Sequence, residues 1–428
     1  MLGLLVLSLF CLVLLLRVPV SASMIIASLV VFIIGGDVPL VAIPQFITAG
    51  MDSFELLAVP FFILAAELMN VGGMTERIFR LALGFVGRVP GGLAQVNIVA
   101  SIIFAGISGS ALADAAGLGR VEIKAMSDAG YDREFASAVT LASCIVGPII
   151  PPSIILIVYA ILAQASVGSM LIAGLIPGLL LGFMLMIYVY FVARSGRYSC
   201  PIGPKPTRRE LVRYLWEGLP ALVAPAIIVI GIVSGVFTPT EAGLIACLYS
   251  FIISTFIYRE MTFKKLVGAL KNALLSSGMI MFLIGAATLL AHIVTREQIA
   301  MQIAQMLGAL TKQVWLQLLL INVFLLFVGC LIEGVPAILI LVPVLLPVVE
   351  GIGISPIHFG VLLSLNLLIG IITPPMGVGL FVVSNYTGIS FERLTRACLP
   401  FLIPLLTTLG IVTYVPQVSL CLVEAIFK

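Results

Sequence analysis

One short motif interrupts apolar sequence at two places and limits what this chain can fold into. It reads Gly-Pro-Ile-Ile-Pro-Pro at 147–152 and Gly-Ile-Ile-Thr-Pro-Pro at 370–375. A proline has no backbone N–H, so it cannot bond to the carbonyl one helical turn earlier. In each motif, the first of the paired prolines is therefore expected to release the carbonyl of the glycine. The motif predicts two helices that are broken at equivalent places.

Apolar sequence surrounds both motifs and continues through most of the chain. Of the 428 residues, 61% are hydrophobic and 10% are charged, whereas about 25% are charged in an ordinary soluble domain. Runs of membrane-spanning length recur from end to end, which predicts an all-α polytopic membrane protein. The first run, 2–16, is followed rather than preceded by Arg17, so we expect a retained span and no signal peptide.

The hydropathy pattern separates complete spans from interrupted segments. Complete spans are expected at 2–16, 22–36, 54–71, 170–193, 219–236, 240–258, 273–294 and 398–420. Amphipathic helices that lie along the membrane are expected at 75–88 and 297–310, and a polar loop at 37–52. The stretches 93–119 and 315–349 have small, polar or Pro-containing sequence in their middle. Each predicts a re-entrant hairpin, which enters and leaves the membrane on one side.

The chain contains an internal repeat. A shift of 223 residues places seven landmarks in register: Phe104 on Phe327, Gly106 on Gly329, Gly130 on Gly353, Gly147 on Gly370, Pro151 on Pro374, Pro152 on Pro375 and Pro177 on Pro400. Gly and Pro dictate backbone shape, so these matches predict two similar structural units. Each unit is a hairpin followed by a broken helix, at about 137–164 in the first and 359–386 in the second.

The repeat divides the chain into four parts. Scaffold helices with an amphipathic arm occupy 1–92, and the first repeat, a hairpin plus a broken helix, occupies 93–193. A basic linker at 194–213 opens the third part, 194–314, which adds further scaffold helices and a second arm. The second repeat occupies 315–428.

Lysine and arginine predict the orientation in the membrane. With re-entrant hairpins and broken helices that cross once, nineteen of the 22 basic residues fall on one side. Only Arg296, Lys312 and Lys428 fall on the other. The basic side is expected to be the cytoplasm, which places both chain ends outside and makes the repeats inverted. Inverted repeats with broken helices are typical of secondary transporters.

Oxygen atoms are expected to collect where each hairpin tip meets the break of its own repeat. The candidate ligands are Ser108, Ser110, Gly147, Ile150 and Pro151 in the first repeat, and Gly329, Gly370, Thr373 and Met376 in the second. Neutral oxygens suit Na⁺ rather than Zn²⁺, so about two Na⁺ sites are expected. The alternative is that the breaks are structural kinks with hydroxyls that cap backbone groups.

Other polar residues give fewer indications. Asp114 and Glu333 are acids inside apolar sequence, and with Ser153 and Pro336 they are candidates for the substrate pathway; support of the hairpin tips is the alternative role. Seven scattered cysteines and two distant histidines offer no zinc motif. The residues that a hydrolase needs are missing, so no enzyme is expected.

Several motifs resemble those of the large membrane subunit of tripartite ATP-independent periplasmic (TRAP) transporters, over essentially the whole chain. They lie at 59–62, 104–111, 147–153, 237–243, 333–336 and 370–379. The resemblance implies a Na⁺-driven, elevator-type importer of organic acids, such as C4-dicarboxylates or sugar acids, in a bacterial inner membrane. It also implies two partners, a periplasmic substrate-binding protein and a small four-helix membrane subunit on a separate chain. A stand-alone Na⁺- or H⁺-coupled anion carrier of the divalent-anion type is the alternative.

Overall fold

The computed structural model describes residues 2–16, 18–35, 39, 41–201 and 207–427, without the side chains of Leu2, Leu4, Leu15 and 104–108. The predictions for Arg17, Lys205, Lys428 and the side chain of Ser108 therefore lie outside the described residues. Within the described ranges, eight helices are long and apolar enough to cross a membrane. The predicted all-α polytopic fold is confirmed.

Twenty-two α-helices are numbered in chain order over the described residues. They are α1 (Leu2–Leu15), α2 (Val20–Gly35), α3 (Ala42–Met51), α4 (Ala58–Val71), α5 (Met74–Val86), α6 (Gly92–Ser108), α7 (Ala111–Ala116), α8 (Leu118–Asp128), α9 (Arg133–Cys144), α10 (Ile154–Leu162), α11 (Val167–Arg194), α12 (Arg208–Val233), α13 (Pro239–Ile252), α14 (Phe263–Arg296), α15 (Ile299–Leu310), α16 (Val314–Leu331), α17 (Gly334–Gly351), α18 (Pro356–Gly370), α19 (Val378–Thr387), α20 (Phe391–Cys398), α21 (Leu402–Tyr414) and α22 (Gln417–Phe427).

Helices from the first and third parts of the chain pack on one another. The long helix α14 contacts α2, α3 and α4, while α13 packs on α4 and α12 on α5. Capping boxes begin two of these helices: Thr207 with Glu210 begins α12, and Thr238 with Glu241 begins α13. The cap at Thr207 starts α12 well before the predicted span, so the linker is shorter than the predicted 194–213.

The stretch 37–52, which was expected to be a loop, contains the helix α3. Pro44 is the third residue of this helix, where the N–H that a proline lacks would have no intrahelical partner. The helix lies against α14, and the ring of Phe46 is 4.5 Å from that of His292. The loop prediction was wrong because the proline was taken for a helix breaker.

The two predicted repeats have matching secondary structure. Helices α6 and α16 correspond under the 223-residue shift, as do α9 and α18. Gly130, with φ +89°, follows the end of α8, and Gly353, with φ +84°, follows the end of α17. In both places the residue after the glycine donates its N–H to the carbonyl five residues earlier. The same helix-terminating turn therefore recurs in both units.

Both broken helices are interrupted where the glycine–proline motif predicts. In the first repeat, α9 and α10 are bent by 42° about a 3₁₀ turn at Gly147–Ile149. In the second, α18 ends at Gly370 and α19 begins at Val378. Both motifs contain a cis peptide bond between their two prolines.

The two hairpins differ in their second arm. In the second hairpin this arm is the continuous helix α17, whereas in the first it is divided at Gly117 into α7 and α8. The helical part of the first hairpin extends to Asp128 and so passes the predicted end at 119. Helices α16 and α17 have 18 residues each, and both are long and apolar enough to span. Helix length therefore does not decide between a re-entrant and a crossing path.

Polar contacts show which helix ends lie together. Arg77 pairs with Glu260 at 2.7 Å, and Arg393 pairs with Glu134 at 2.5 Å. All four residues belong to segments that were predicted to be cytoplasmic. The contacts of Gly3 N–H with Glu297, and of Tyr414 O–H with the Trp315 carbonyl, join segments that were predicted to be outside. The grouping agrees with the charge pattern and leaves the absolute orientation a prediction.

Candidate ion and substrate site

The second hairpin meets the second break through two glycines. A Cβ atom added to Gly370 would lie 2.2 Å from the carbonyl carbon of Gly329, and one added to Gly329 would lie 2.9 Å from Cα of Leu367. No side chain fits at such distances, so the backbones of α16 and α18 are in direct contact. The predicted proximity of Gly329 and Gly370 follows from this contact.

Residues that follow Gly370 fold back onto the end of α16. The Thr373 hydroxyl donates to the Ile369 carbonyl at 2.8 Å. Because its proton is directed at that carbonyl, the lone pairs of the hydroxyl oxygen can still accept a hydrogen bond or coordinate an ion. Gly377 donates its N–H to the Cys330 carbonyl at 3.2 Å. Met376 is half exposed beside this turn. Of the predicted second set of ligands, Thr373 and Met376 therefore lie on one compact turn after Gly370, and this turn packs against the hairpin helix that carries Gly329.

The carbonyls of Gly147 and Gly370 are not free, in contrast to the prediction. Gly147 accepts from the N–H of Ile150 at 3.2 Å, and Gly370 accepts from the N–H of Thr373 at 3.0 Å. Each helix tightens into a 3₁₀ turn before its proline, which replaces the missing bond with one to the residue three positions on. A carbonyl has two lone pairs, so each oxygen can still coordinate an ion.

The first hairpin reaches the first break at its tip. Helix α6 contacts the Gly147–Ile149 turn, and a Cβ atom on Gly109 would lie 3.2 Å from the backbone nitrogen of Ile154. Ser110 caps α7, because its hydroxyl accepts from the Ala113 N–H at 3.3 Å. Ile150 and Pro151 are buried within the break. The hairpin tip that carries Ser110 thus lies against the chain that follows the break, whereas the Ser108 side chain lies outside the described residues.

Helix N-termini from different repeats meet beside the breaks. A Cβ atom on Gly334, the first residue of α17, would lie 2.6 Å from Cδ1 of Ile155 in the first turn of α10. Helix α7 contacts α19, which is the corresponding pair of helices under the 223-residue shift. N-terminal N–H groups and the helix dipole favour a negative charge, whereas the C-terminal ends of α9 and α18 favour a cation. Helix ends that favour an anion and helix ends that favour a cation therefore lie close together around the two breaks.

The four candidates for the substrate pathway have different surroundings. Ser153 is fully buried, where it donates to the Pro148 carbonyl and accepts from the Leu156 N–H, so it caps α10. Asp114 is buried on α7, one turn after Ser110. Glu333 is exposed at the N-cap position of α17, and Pro336 lies in the first turn. Ser110 and Glu333 thus occupy equivalent N-cap positions of the two repeats.

The sequence analysis missed two buried amide clusters. In the first repeat the Asn97 side chain donates to the Thr140 hydroxyl at 2.7 Å and accepts from the Ser143 hydroxyl at 2.6 Å. In the second, the Asn366 side chain donates to the Asn322 amide oxygen at 2.7 Å. Ser143 and Asn366 coincide under the 223-residue shift, and each precedes the glycine of its break by four residues. That coincidence is the signal that could have found them.

A cavity of about 950 Å³ lies outside this centre. It is lined by apolar residues of α1, α15, α16 and α17, such as Phe10, Ile303 and Phe324, and it extends to Met376. An apolar lining offers no hydrogen-bond donors to a carboxylate, so this cavity does not suit an organic anion.

The described residues provide neither a metal-binding cluster of acids, cysteines and histidines nor a histidine at the candidate site. Within the described part of the chain, no three His, Cys, Asp or Glu residues come together as metal ligands. His292 packs against Phe46, and Nδ1 of His358 lies 3.4 Å from the Ser419 hydroxyl. Both histidines thus contact a side chain of a neighbouring helix.

Comparison with known protein families identifies relatives over nearly the whole chain. The model of the DctM component of tripartite ATP-independent periplasmic transporters matches residues 7–418. The sialic acid TRAP transporter large permease protein SiaM of Vibrio cholerae is 44% identical over 406 residues, which are 95% of each chain. The C4-dicarboxylate TRAP transporter large permease protein DctM of Pseudomonas aeruginosa is 41% identical over 87% of this chain and 86% of its own length.

Another relative is longer than this chain. The sialic acid TRAP transporter permease protein SiaT of Haemophilus influenzae is 43% identical, and the match covers 94% of this chain and 65% of that protein. These relatives are named as permeases, so the expectation that the chain is not an enzyme is confirmed.

Two solved structures share the fold. The Alcanivorax borkumensis YdaH transporter aligns with a TM-score of 0.60 and 18% identity over 90% of this chain and 87% of its own. Neisseria gonorrhoeae MtrF, from a class of antimetabolite efflux pumps, aligns with a TM-score of 0.56 and 15% identity, over 87% of this chain and 84% of its own. At these identities the likeness concerns the fold alone. The family match and the sequence relatives are sufficient for assignment: this multi-pass membrane protein belongs to the DctM component family of TRAP transporters.

Proposed function

We propose that this chain is the membrane subunit of a Na⁺-coupled importer of organic acids. The observation that carries the proposal is the meeting of helix ends of both signs where the hairpins contact the broken helices. The contacts Gly109–Ile154 and Gly329–Gly370 join hairpin and broken helix within the first and the second repeat, and the contact Gly334–Ile155 joins the two repeats. Broken helices that present their C-termini to a cation and their N-termini to an anion are typical of secondary transporters.

Two Na⁺ sites are proposed, one at each break. The first uses oxygens of Ser108, Ser110, Gly147, Ile150 and Pro151, and the second those of Gly329, Gly370, Thr373 and Met376. The Thr373 hydroxyl supports the second site because its proton is already donated to Ile369. Neutral oxygens on helix C-termini suit a monovalent hard cation.

The substrate is proposed to be a small organic acid bound at the N-termini of α10 and α17. The relatives are named for sialic acid, C4-dicarboxylates and 2,3-diketo-L-gulonate, all of which carry a carboxylate. An anion gains from N-terminal N–H groups and the helix dipole, and Glu333 at the N-cap of α17 lies beside the path of entry. We further propose that the hairpins and broken helices move together as an elevator in the bacterial inner membrane.

Two partners are proposed from the family. A periplasmic substrate-binding protein delivers the acid, and a small four-helix membrane subunit packs against the exposed apolar helices. Helices α12 and α14 offer such surfaces, since Trp216 is 75% and Leu274 is 72% exposed.

Reconstitution tests the function. The large subunit is placed in liposomes with the small subunit and binding protein from neighbouring genes, and uptake of radiolabelled sialic acid, a C4-dicarboxylate and 2,3-diketo-L-gulonate is measured. We expect uptake of one acid only with an inward Na⁺ gradient and only with both partners. Equal uptake by the large subunit alone would instead favour the stand-alone carrier. No Na⁺ dependence with any of the acids would contradict the proposal.

A further inference from the structure

A carboxyl group is buried in the first repeat where nothing in the proposed Na⁺ sites uses it. Glu122 is 1% exposed, although it lies on the polar helix α8, which is not among the candidate spans. Arg120 and Lys124 on the same helix are exposed. Glu122 is two positions from each of them, so it points to the opposite side, with Ile123 and Met126, against α9.

The groups that face Glu122 come from four helices. Asp114 approaches from α7, Asn97 from α6 and Cys144 from α9, and Tyr386 of α19 lies further along the same space. A basic residue borders this space as well, since the guanidinium of Arg120 lies 4.9 Å from the centre of the Tyr386 ring. The other ionisable groups on α9 are at its start, where Glu134 pairs with Arg393.

One carboxyl oxygen of Glu122 has no hydrogen-bond partner among the described residues. Oε1 is fully buried and unbonded, while the other contact of the carboxyl is with Asn97. The Asn97 amide is itself held by Thr140 and Ser143. An ionised carboxylate with an unbonded oxygen in such a place is strongly unfavourable, whereas the protonated acid is tolerated.

The fold itself does not require a carboxyl at this position. Under the 223-residue shift Glu122 corresponds to Leu345 on α17, which is 3% exposed and packs in the core of the second repeat. The corresponding sequence position of the second hairpin is therefore filled by an apolar side chain of similar size. An acid that packing does not need points to a chemical role.

We propose that Glu122 is a proton-binding site of the first hairpin, held between α8 and α9 and separate from the Na⁺ sites. Burial, and next the nearby Asp114, raise the pKa of Glu122 to about 8. The site therefore binds a proton at neutral pH and loses it in mildly alkaline solution. Exposed Arg120 and Lys124 mark the surface from which the proton arrives.

The proton site has a direct path to the first break. Glu122 contacts Asn97, Asn97 accepts from Ser143, and Ser143 lies one turn before Gly147. Deprotonation puts a charge beside the amide that holds the hairpin to the broken helix. If the proposed transport function holds, the proton adds an internal pH dependence to Na⁺-driven uptake.

Infrared spectroscopy tests the site on the whole large subunit in detergent. The carbonyl stretch of a protonated, buried carboxyl is followed from about pH 5 to about pH 10. We expect a band that disappears with a midpoint near pH 8 and that is absent from both Glu122→Gln and Glu122→Leu. The leucine variant copies the second repeat, so it keeps the test open if the glutamine variant folds poorly.

An exposed acid on the same helix provides the control. Asp128→Asn should leave the band unchanged, because Asp128 is exposed at the end of α8. A band that persists in both Glu122 variants, or no band that titrates in this range, would overturn the proposal.

Transport provides a second readout that separates the two proposals. In proteoliposomes with both partners, raising the internal pH through about 8 should change wild-type uptake, and Glu122→Gln should lose this response but keep its Na⁺ dependence. An unchanged pH response in the variant would count against the site. Failure of all Na⁺-driven uptake in the wild type would instead contradict the transport function, while the infrared band would still decide the proton site.

Discussion

At the scale of single residues, small and amide side chains fix the hairpins onto the broken helices. Gly329 and Gly370 allow two backbones to touch, and an asparagine from each first hairpin arm bonds to the residue one turn before the break. The Asn97 and Asn366 side chains are fully buried, so these bonds are made away from water and are costly to break. Hairpin and broken helix are therefore joined in each repeat by a buried hydrogen bond just before the break.

Gly370 gives a sharp test of that contact. Gly370→Ala places a methyl group 2.2 Å from the Gly329 carbonyl carbon, and only a movement of backbone can relieve the overlap. We expect the variant to lose uptake and to unfold at a lower temperature. In the control Gly410→Ala, nothing lies within 4 Å of the added carbon in α21, so stability should rise by up to about 1 kcal/mol. Equal effects of the two variants would contradict the close approach.

Thr373 tests the second Na⁺ site. Thr373→Ala removes one hydroxyl ligand, and the loss of about 1.5–3 kcal/mol of a charge-assisted contact should weaken Na⁺ affinity by about ten- to a hundred-fold. Thr373→Ser keeps the hydroxyl and should restore the wild-type value. The measurement is uptake as a function of Na⁺ concentration. An unchanged Na⁺ requirement in the alanine variant would place the ion elsewhere.

At the scale of elements, the broken helices could be predicted and their finer structure could not. Proline removes a hydrogen-bond donor wherever it occurs, so the breaks near Gly147 and Gly370 follow from sequence. The 3₁₀ hydrogen bonds that partly satisfy these carbonyls depend on the local backbone conformation. The amino-acid composition of the motif does not predict that conformation. Helix α3 was missed because Pro44 was taken for a helix breaker, and a proline has that effect only in a helix interior.

Buried polar residues were also hard to predict at this scale. Charges at Arg120, Lys124 and Asp128 mark α8 as a surface helix, and this hid the acid on its inner face. Asn97 and Asn322 lie within long apolar runs, and their partners come from other helices. Only the 223-residue register, which relates Ser143 to Asn366, contained that information.

At Pro151, a substitution that improves helix formation should impair transport. Pro151→Ala supplies an N–H that can bond to the Gly147 carbonyl, so α9 can extend through the break. We expect a loss of uptake and a higher Na⁺ requirement, because the carbonyl is withdrawn from the proposed site. Pro225→Ala is the control, since Pro225 lies inside α12, away from both breaks. If Pro151→Ala behaves like Pro225→Ala, the break has only a structural role.

At the scale of the whole molecule, the contacts between helix ends and the charge pattern agree on which segments share a side. The Arg393–Glu134 pair ties the start of α20 to the start of α9, and so joins two segments that were predicted to be cytoplasmic. The Gly3–Glu297 bond ties α1 to the end of α14, and so joins two segments that were predicted to be outside. The positive-inside rule predicts that the basic side is the cytoplasm, and this orientation can be measured directly.

Cysteine labelling tests the orientation and the inversion together. Single cysteines are introduced into a chain whose seven native cysteines have been replaced, at the exposed positions Ser195, Glu392 and Lys312. A membrane-impermeant thiol reagent is then applied to intact spheroplasts. We expect Lys312→Cys to be labelled at once, because it precedes α16 on the predicted outer side, and the other two only after the membrane is opened. Ser195 follows the first repeat and Glu392 lies beyond the second break, so their shared protection requires opposite courses for the two hairpins. Labelling of Ser195→Cys and Lys312→Cys from the same side would exclude inverted repeats, and the two breaks would then face the membrane in the same direction.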